Sequence, residues 1–554
     1  MDRRDFITAR RKKKPSVILP AKTFRTLSGL APYTGPWTRN EVQHLLKRTM
    51  FGSTKADIDY FITRTMDQAI NELLNPAAPL PAPPLNDYSA DVADATVPAG
   101  ATWVNNPAPP AEDELNVARR SSFKKWWIGT MLNQDRSIRE KITLFWADHF
   151  GTETNTIGLS HFVYKHNDLL RRGCLANFKT LVKDVTVDPG MLIYLNGYLN
   201  SSSAPDENYA RELFELFTLG KGPSVTYSED DVRKAARILT GWRINPTTAL
   251  TVFNPAQHDT GNKQFSSYFG GTTITGQAGA NGTLETDDLI NMIFNKDEVS
   301  KYICRSIYRW FIYYSIDEAT EMNVIEPLAA IFRNNNYELR PVLSALFKSE
   351  HFFDVLNQGC MIKSPVDQVI GCMREFRVVF PPVGTEYADT YNMWTYLFNW
   401  SNVMGQNIGD PPNVSGWPAY YQEPAFHEFW INHDTLPKRN QFTDIMVVNG
   451  YTRNMKKIVI DTLDFTRSLP NPGDPNALVN DALAVIYRVP LSDAVKQNIK
   501  QNILLSGQTQ DYYWTNAWNA YIIDPTNMSV TAIVANRLKA LYQYLMNLSE
   551  YQLS

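Results

Sequence analysis

Apolar residues recur at helical spacing through most of the chain. Thr38-Arg-Asn-Glu41 reads as a capping box, and Val42, Leu45, Leu46 and Met50 then fall on one helical face. Gly52 closes this helix, and Thr54-Lys-Ala-Asp57 opens a second one through Leu74. The same period returns from 113 to about 243. Trp126, Trp127, Ile128, Met131 and Leu132 mark one helix, and Ile138, Ile142, Leu144, Phe145 and Trp146 mark another near 137–149. A third lies near 174–187 and stops at Asp188-Pro189-Gly190. A fourth runs from about 205 to Gly220, and a fifth follows the capping box Ser228-Glu-Asp-Asp231 and closes near Trp242. Helices resume after Thr286-Asp287-Asp288 and continue to about 380, while 441–554 reads as helix with no strand pattern.

The interruptions set the expected organisation. Residues 1–30 read as a basic flexible tail. Residues 75–112 are rich in proline and alanine and form an extended excursion or linker, since proline removes a donor and clashes in a helix interior. Residues 244–285 mix glycine with Thr, Phe and Ser and predict a loop with one small β-hairpin. The stretch 404–440 is irregular and aromatic. The expected fold class is mainly α: a large multi-helix domain over 31–450 with a small β-hairpin/loop insertion, and a C-terminal helical region, 451–554, packed on it.

Composition narrows the function classes. With 554 residues, 44% hydrophobic and 20% charged, the chain can bury a large core. A net charge of −3 gives no basic field for nucleic acid. No apolar run is long enough for a transmembrane helix. The four cysteines, Cys174, Cys304, Cys360 and Cys372, have neither zinc nor redox spacing and read as buried thiols. The start contains Arg3-Arg4 in a twin-arginine-like setting, which fits a periplasmic destination. Lysines and arginines follow where a signal peptide needs an apolar segment, which favours the cytoplasm. Phosphate loop, dinucleotide fingerprint and nucleophile elbow are all missing, so nucleotide-dependent chemistry is not expected.

Four places carry candidate chemistry. On the 205–219 helix, Glu207, Asn208, Arg211, Glu212 and Glu215 fall within about 140° of arc. Turned into a cleft, the carboxylates would bind a divalent cation or serve as acid and base, and Arg211 would pair with a carboxylate or an anionic substrate. The alternative is an amphipathic helix with a solvated charged face. Asp148-His149 ends an aromatic helix; His149 is either a metal ligand or base, or a core histidine donating to a carbonyl. His258-Asp259 lies in the glycine-rich loop, as a metal-facing pair or a turn held by the aspartate. Trp417, Tyr420 and Trp430, with polar neighbours, suit a sugar face or peptide groove, or else seal a core. His427-Glu428 with His433 is not a metalloprotease helix, because the two histidines are six apart rather than four.

Several stretches, in one order, resemble the family known as domain of unknown function 1800. They are Trp37-Thr-Arg-Asn-Glu-Val-Gln-His44 through Gly52, Phe145-Trp-Ala-Asp-His149-Phe150, Pro205-Asp-Glu-Asn-Tyr-Ala-Arg-Glu-Leu-Phe-Glu-Leu-Phe-Thr-Leu-Gly220, Ala236-Arg-Ile-Leu-Thr-Gly-Trp242, His258-Asp-Thr-Gly-Asn-Lys263 and Pro411-Pro-Asn-Val-Ser-Gly-Trp-Pro418. The resemblance implies a bacterial, largely helical protein whose gene often neighbours that of a sulfatase-like protein, and it implies no activity. Two functional expectations follow. One is a hydrolase-like or metal-assisted enzyme acting on carbohydrate or another polymer. Its catalytic residues would be Glu207, Arg211, Glu212, Glu215, His149, His258 and Asp259, its metal ligands Glu207, Glu215 and His149, and its cofactor a divalent cation. The other is a non-catalytic binding or assembly partner of a sulfatase-like protein.

Overall fold

A computed structural model describes residues 26–554. The twin-arginine-like start and the rest of the tail through residue 25 lie outside the described residues. The described chain is mainly α-helical, as expected. Thr38 forms the expected capping box and opens the helix Arg39–Thr49, whose residues 41–49 are all buried. This helix is a central strut, and its buried cations Lys47 and Arg48 find partners inside the protein. Lys47 pairs with Glu375 at 2.8 Å and donates to the Ile486 carbonyl, while Arg48 donates to the Asn357 carbonyl at 3.0 Å. Ile486 belongs to the helix Pro475–Ile486, so the strut also receives the C-terminal stretch. An isolated antiparallel bridge between Ile362 and Leu553 ties that stretch down again.

Several boundaries differ from the sequence expectation, each for a local reason. The helix expected from 54 to 74 is two, Lys55–Phe61 and Met66–Leu74, because Thr65 and Gln68 form a second capping box that restarts the chain. Asp188-Pro189 ends the helix Phe178–Thr186, but Asp188 then caps Met191 N–H and starts another, Pro189–Tyr194. The helix expected to close near Trp242 ends at Ile238, and Trp242 begins a strand. The glycine-rich region holds two hairpins rather than one, Trp242–Asn245 with Leu250–Phe253 and Lys263–Gln264 with Thr273–Ile274. A third, Tyr451–Arg453 with Lys456–Ile458, falls where only helix was expected. Its turn residues Asn454 and Met455 have φ of 49° and 61°, and such a turn fits the twist of a tight hairpin. The helix Ser160–Gly173 falls within the stretch read as helical without having been singled out, and Val383–Val403 lies beyond the expected helical end near 380.

The proline-rich excursion lies on the body of the protein. Trp103 is wholly buried, and Asp94 forms an ion pair at 2.7 Å with Arg119 of the helix Leu115–Leu132. That helix lies along Val383–Val403, and Gly129 lets Trp394 approach to where a Cβ would sit. Among the described residues no helix is long and apolar enough to cross a membrane.

Candidate active site

Four segments meet around a cleft of about 340 Å3. They are the end of the helix Arg139–His149, the turn Leu213–Thr218, the helix Asp297–Phe311 and the irregular stretch through Tyr420. Three sequence candidates, His149, Glu215 and Tyr420, line it, joined by Asp148, Tyr302 and Arg309.

The turn Leu213–Thr218 is wound as a π-helix continuing from the α-helix Asn208–Glu212. Such widened turns release backbone carbonyls from the i→i−4 ladder and are frequent at functional sites. Here the Phe217 carbonyl accepts a bond from His149 Nε2 at 3.1 Å. A carbonyl can only accept, so Nε2 carries the proton and a neutral ring keeps its lone pair on Nδ1. Burial among Phe145, Trp146, Phe150 and Phe217 pushes the imidazole down to about 4, so it is neutral over most of the accessible pH range. Gly220 follows the π turn at φ 75°, and a Cβ there would stand 2.4 Å from the Tyr302 ring.

Asp148 has the opposite perturbation. Burial raises its carboxyl well above the usual carboxylate range, against one bond accepted from Trp417 N–H at 2.7 Å. Gly416 makes that contact feasible: its φ is 86°, and a Cβ would fall 2.3 Å from Asp148 Oδ1. The loop 411–418 is thereby fastened to the end of the aromatic helix, where Gly151 also abuts the Val414 carbonyl. Consecutive residues thus present a carboxyl biased towards its protonated form and an imidazole biased towards its free-base form. Groups whose environments push their protonation in complementary directions are the raw material of acid–base chemistry. Tyr302, raised to about 12 by burial, stays a phenol beside them. Glu215 pairs with Lys221 at 2.5 Å. Tyr420 stacks on Trp310 with centroids 4.1 Å apart, and Tyr421, 39% exposed, extends this aromatic wall towards solvent.

Other sequence candidates are engaged elsewhere. Arg211 is clasped by three carboxylates, Glu229 at 2.7 Å, Glu207 at 2.9 Å and Glu215 at 3.7 Å, and its hydrogen bonds to Glu229 hold it more firmly protonated than usual. Its charge is thus already met by carboxylates of the chain itself. Glu207 is shared between Arg211 and Arg233. Glu212 is half-buried and raised by that burial and by Glu215, and it does not line the cleft. The solvated-face alternative therefore describes the outer half of this helix, and the cleft reading describes Glu215. Among the described residues no three His, Cys, Asp or Glu side chains are placed to share a metal ion, so Glu207, Glu215 and His149 do not make a ligand set.

His258 and Asp259 lie away from the cleft. Both ring nitrogens of His258 face oxygen, the Thr240 carbonyl and Glu285 Oε1, each at 2.9 Å. Lys263 reaches the other Glu285 oxygen at 2.6 Å, and all three side chains are fully buried. Burial would raise Glu285, but hydrogen bonds from His258, Lys263 and Gln277 N–H prevail and hold it low. No ring nitrogen remains for a ligand. Asp259 forms a two-point pair with Arg237 at 2.7 and 3.0 Å and accepts from Gly261 N–H, which is the turn alternative. Trp417 and Trp430 are core residues at 2% and 4% exposure, so of the three aromatic candidates Tyr420 alone reaches the cleft.

Three cleft residues on one helix escaped the sequence reading. Tyr302 and Arg309 sit seven apart on the helix Asp297–Phe311, with Ser306 between them, and all three line the cleft. Polar residues at i, i+4 and i+7 were the available signal, but solvated faces give the same pattern.

The arrangement defines a mainly α-helical protein with an aromatic-walled cleft at which the buried Asp148 and His149 are neighbours. Residues 44–553 match the family model described as Protein of unknown function (DUF1800), and the chain belongs to that family. No curated protein and no solved structure matches the chain.

Proposed function

We propose that the cleft is the active site of a hydrolase acting on carbohydrate or another polymer. The observation that carries this reading is the complementary protonation of Asp148 and His149 within one cleft. In the proposed step, His149 Nδ1 accepts a proton from a water whose oxygen attacks the scissile centre. The protonated Asp148 carboxyl gives its proton to the leaving oxygen as that bond breaks. One product carries the hydroxyl and the other the proton, and transfer from the imidazolium to the Asp148 carboxylate through solvent restores the start. Tyr420 and Tyr421 supply the flat apolar surface on which a sugar ring rests. The test is release of new reducing ends from a panel of neutral and acidic polysaccharides. Asp148→Asn and His149→Gln should each lower turnover about 10²–10⁴-fold. Undiminished turnover in either variant, or no release from any panel member, counts against the reading.

A second reading, a non-catalytic partner of a sulfatase-like protein, draws on the junction of the two C-terminal helices. Ile523 and Met528 are 84% and 85% exposed there, with Ile522 and Ile533 about half exposed. Apolar side chains clustered on a surface favour protein contact.

A further inference from the structure

Arg309 lines the cleft, yet it has no hydrogen bond and no ion pair with any described residue, and its Nε is buried without an acceptor. Other arginines nearby are neutralised. Arg305, one turn earlier on the same helix, is held by Glu298 at 2.5 Å and Glu321 at 2.6 Å, and Arg211 holds three carboxylates. Arg309 instead rests near the Phe426 ring, its guanidinium carbon 5.7 Å from the centroid. An aromatic face orients a guanidinium without satisfying its donors. Largely desolvated cations without a counter-charge are costly, and a ligand that brings the counter-charge removes that cost on binding.

We propose that Arg309 anchors an oxyanion subsite in the cleft, so that the substrate carries a carboxylate, sulfate or phosphate group beside its scissile bond. This deepens the hydrolase reading and rests on it for the word substrate; the anion site itself does not need turnover. The planar fork of Arg309 meets two oxygens of the group. Lys221, also lining the cleft, is already paired with Glu215 and adds positive field rather than a free donor set. The Arg309 subsite takes the role that sequence spacing had assigned to Arg211.

The test is equilibrium dialysis of the full-length protein against labelled inorganic sulfate, inorganic phosphate and glucuronate at constant ionic strength. Saturable binding of one probe per chain is expected, and the preferred probe identifies the group. Arg309→Gln should weaken it about tenfold or more, and Arg309→Lys by less, because charge remains while the fork is lost. His149→Gln should retain the anion while losing turnover, which separates this proposal from the acid–base reading. Arg309→Lys keeps the charge and serves if the glutamine variant does not fold. Absence of saturable binding for all three probes, or parental affinity in the folded Arg309 variants, overturns the subsite even if neutral polysaccharides are hydrolysed.

Discussion

Replacing Lys363 by methionine should stabilise the protein, by an amount that depends on pH. Lys363 is 6% exposed, has no carboxylate partner among the described residues, and places its ammonium 3.9 Å from the centre of the Tyr551 ring. Burial is the main cause that pushes it from 10.5 down to about 7. At 1.36 kcal/mol per tenfold, holding this proton in the folded chain costs roughly 5 kcal/mol relative to the unfolded chain. The sign follows from linkage: between pH 7 and 10.5 the unfolded lysine binds a proton that the folded one does not. Stability from this group is therefore complete above the unfolded value and is lost as pH falls through the folded one. Methionine keeps the unbranched stem over Tyr551 and has no proton to bind. With an unfolding entropy of about 2.1 cal/mol/K per residue, a chain this long should show the variant melting roughly 4 °C above the parent at pH 6. The gap should shrink to less than half by pH 9. Scanning calorimetry of both proteins at matched scan rates, from pH 6 to 9, reads this directly. A gap that does not change with pH, or a variant that melts below the parent at pH 6, would refute the reasoning.

Two further substitutions probe the supports of the site. Gly416→Ala forces a Cβ onto Asp148 Oδ1 at a φ of 86°, so it should cost at least about 2 kcal/mol in denaturant unfolding and lower turnover by displacing the Asp148 carboxyl. Glu285→Ala strands the fully buried Lys263 cation beside His258 and should cost about 3–5 kcal/mol, while Glu285→Gln should cost less. Because Glu285 is held below its ordinary 4.5, its contribution is present above that value and is lost as pH falls through the folded one. Acid unfolding of Glu285→Gln should accordingly be less steep than that of the parent.

Helical class was legible because amphipathic period and capping boxes are local signals. Thr38-Glu41 and Ser228-Asp231 cap as read, whereas Thr65-Gln68 was overlooked inside an apolar run that looked continuous. The hairpin at 451–458 was missed because three-residue strands leave too short an alternation to register. For the site, the charged face of the 205–219 helix was visible, but spacing could not say which carboxylates meet an arginine and which meet a cleft. That division depends on Glu229, Arg233 and Lys221, which come from neighbouring segments. His149 was singled out, while the protonation bias of Asp148 arises from burial beneath the loop at 416–417, a contact between residues 269 apart. Arg309 was invisible for a related reason: spacing cannot show that no described residue pairs with it.

The most direct test of the acid–base cleft is the pH dependence of kcat/KM on a polysaccharide hydrolysed by the parent. His149 must be the free base and Asp148 must be protonated, so activity should rise through about pH 4 and fall above the raised value of Asp148. The low-pH limb should vanish in residual turnover by His149→Gln, and the high-pH limb in that by Asp148→Asn. Limbs that stay in place in both variants would contradict the assignment.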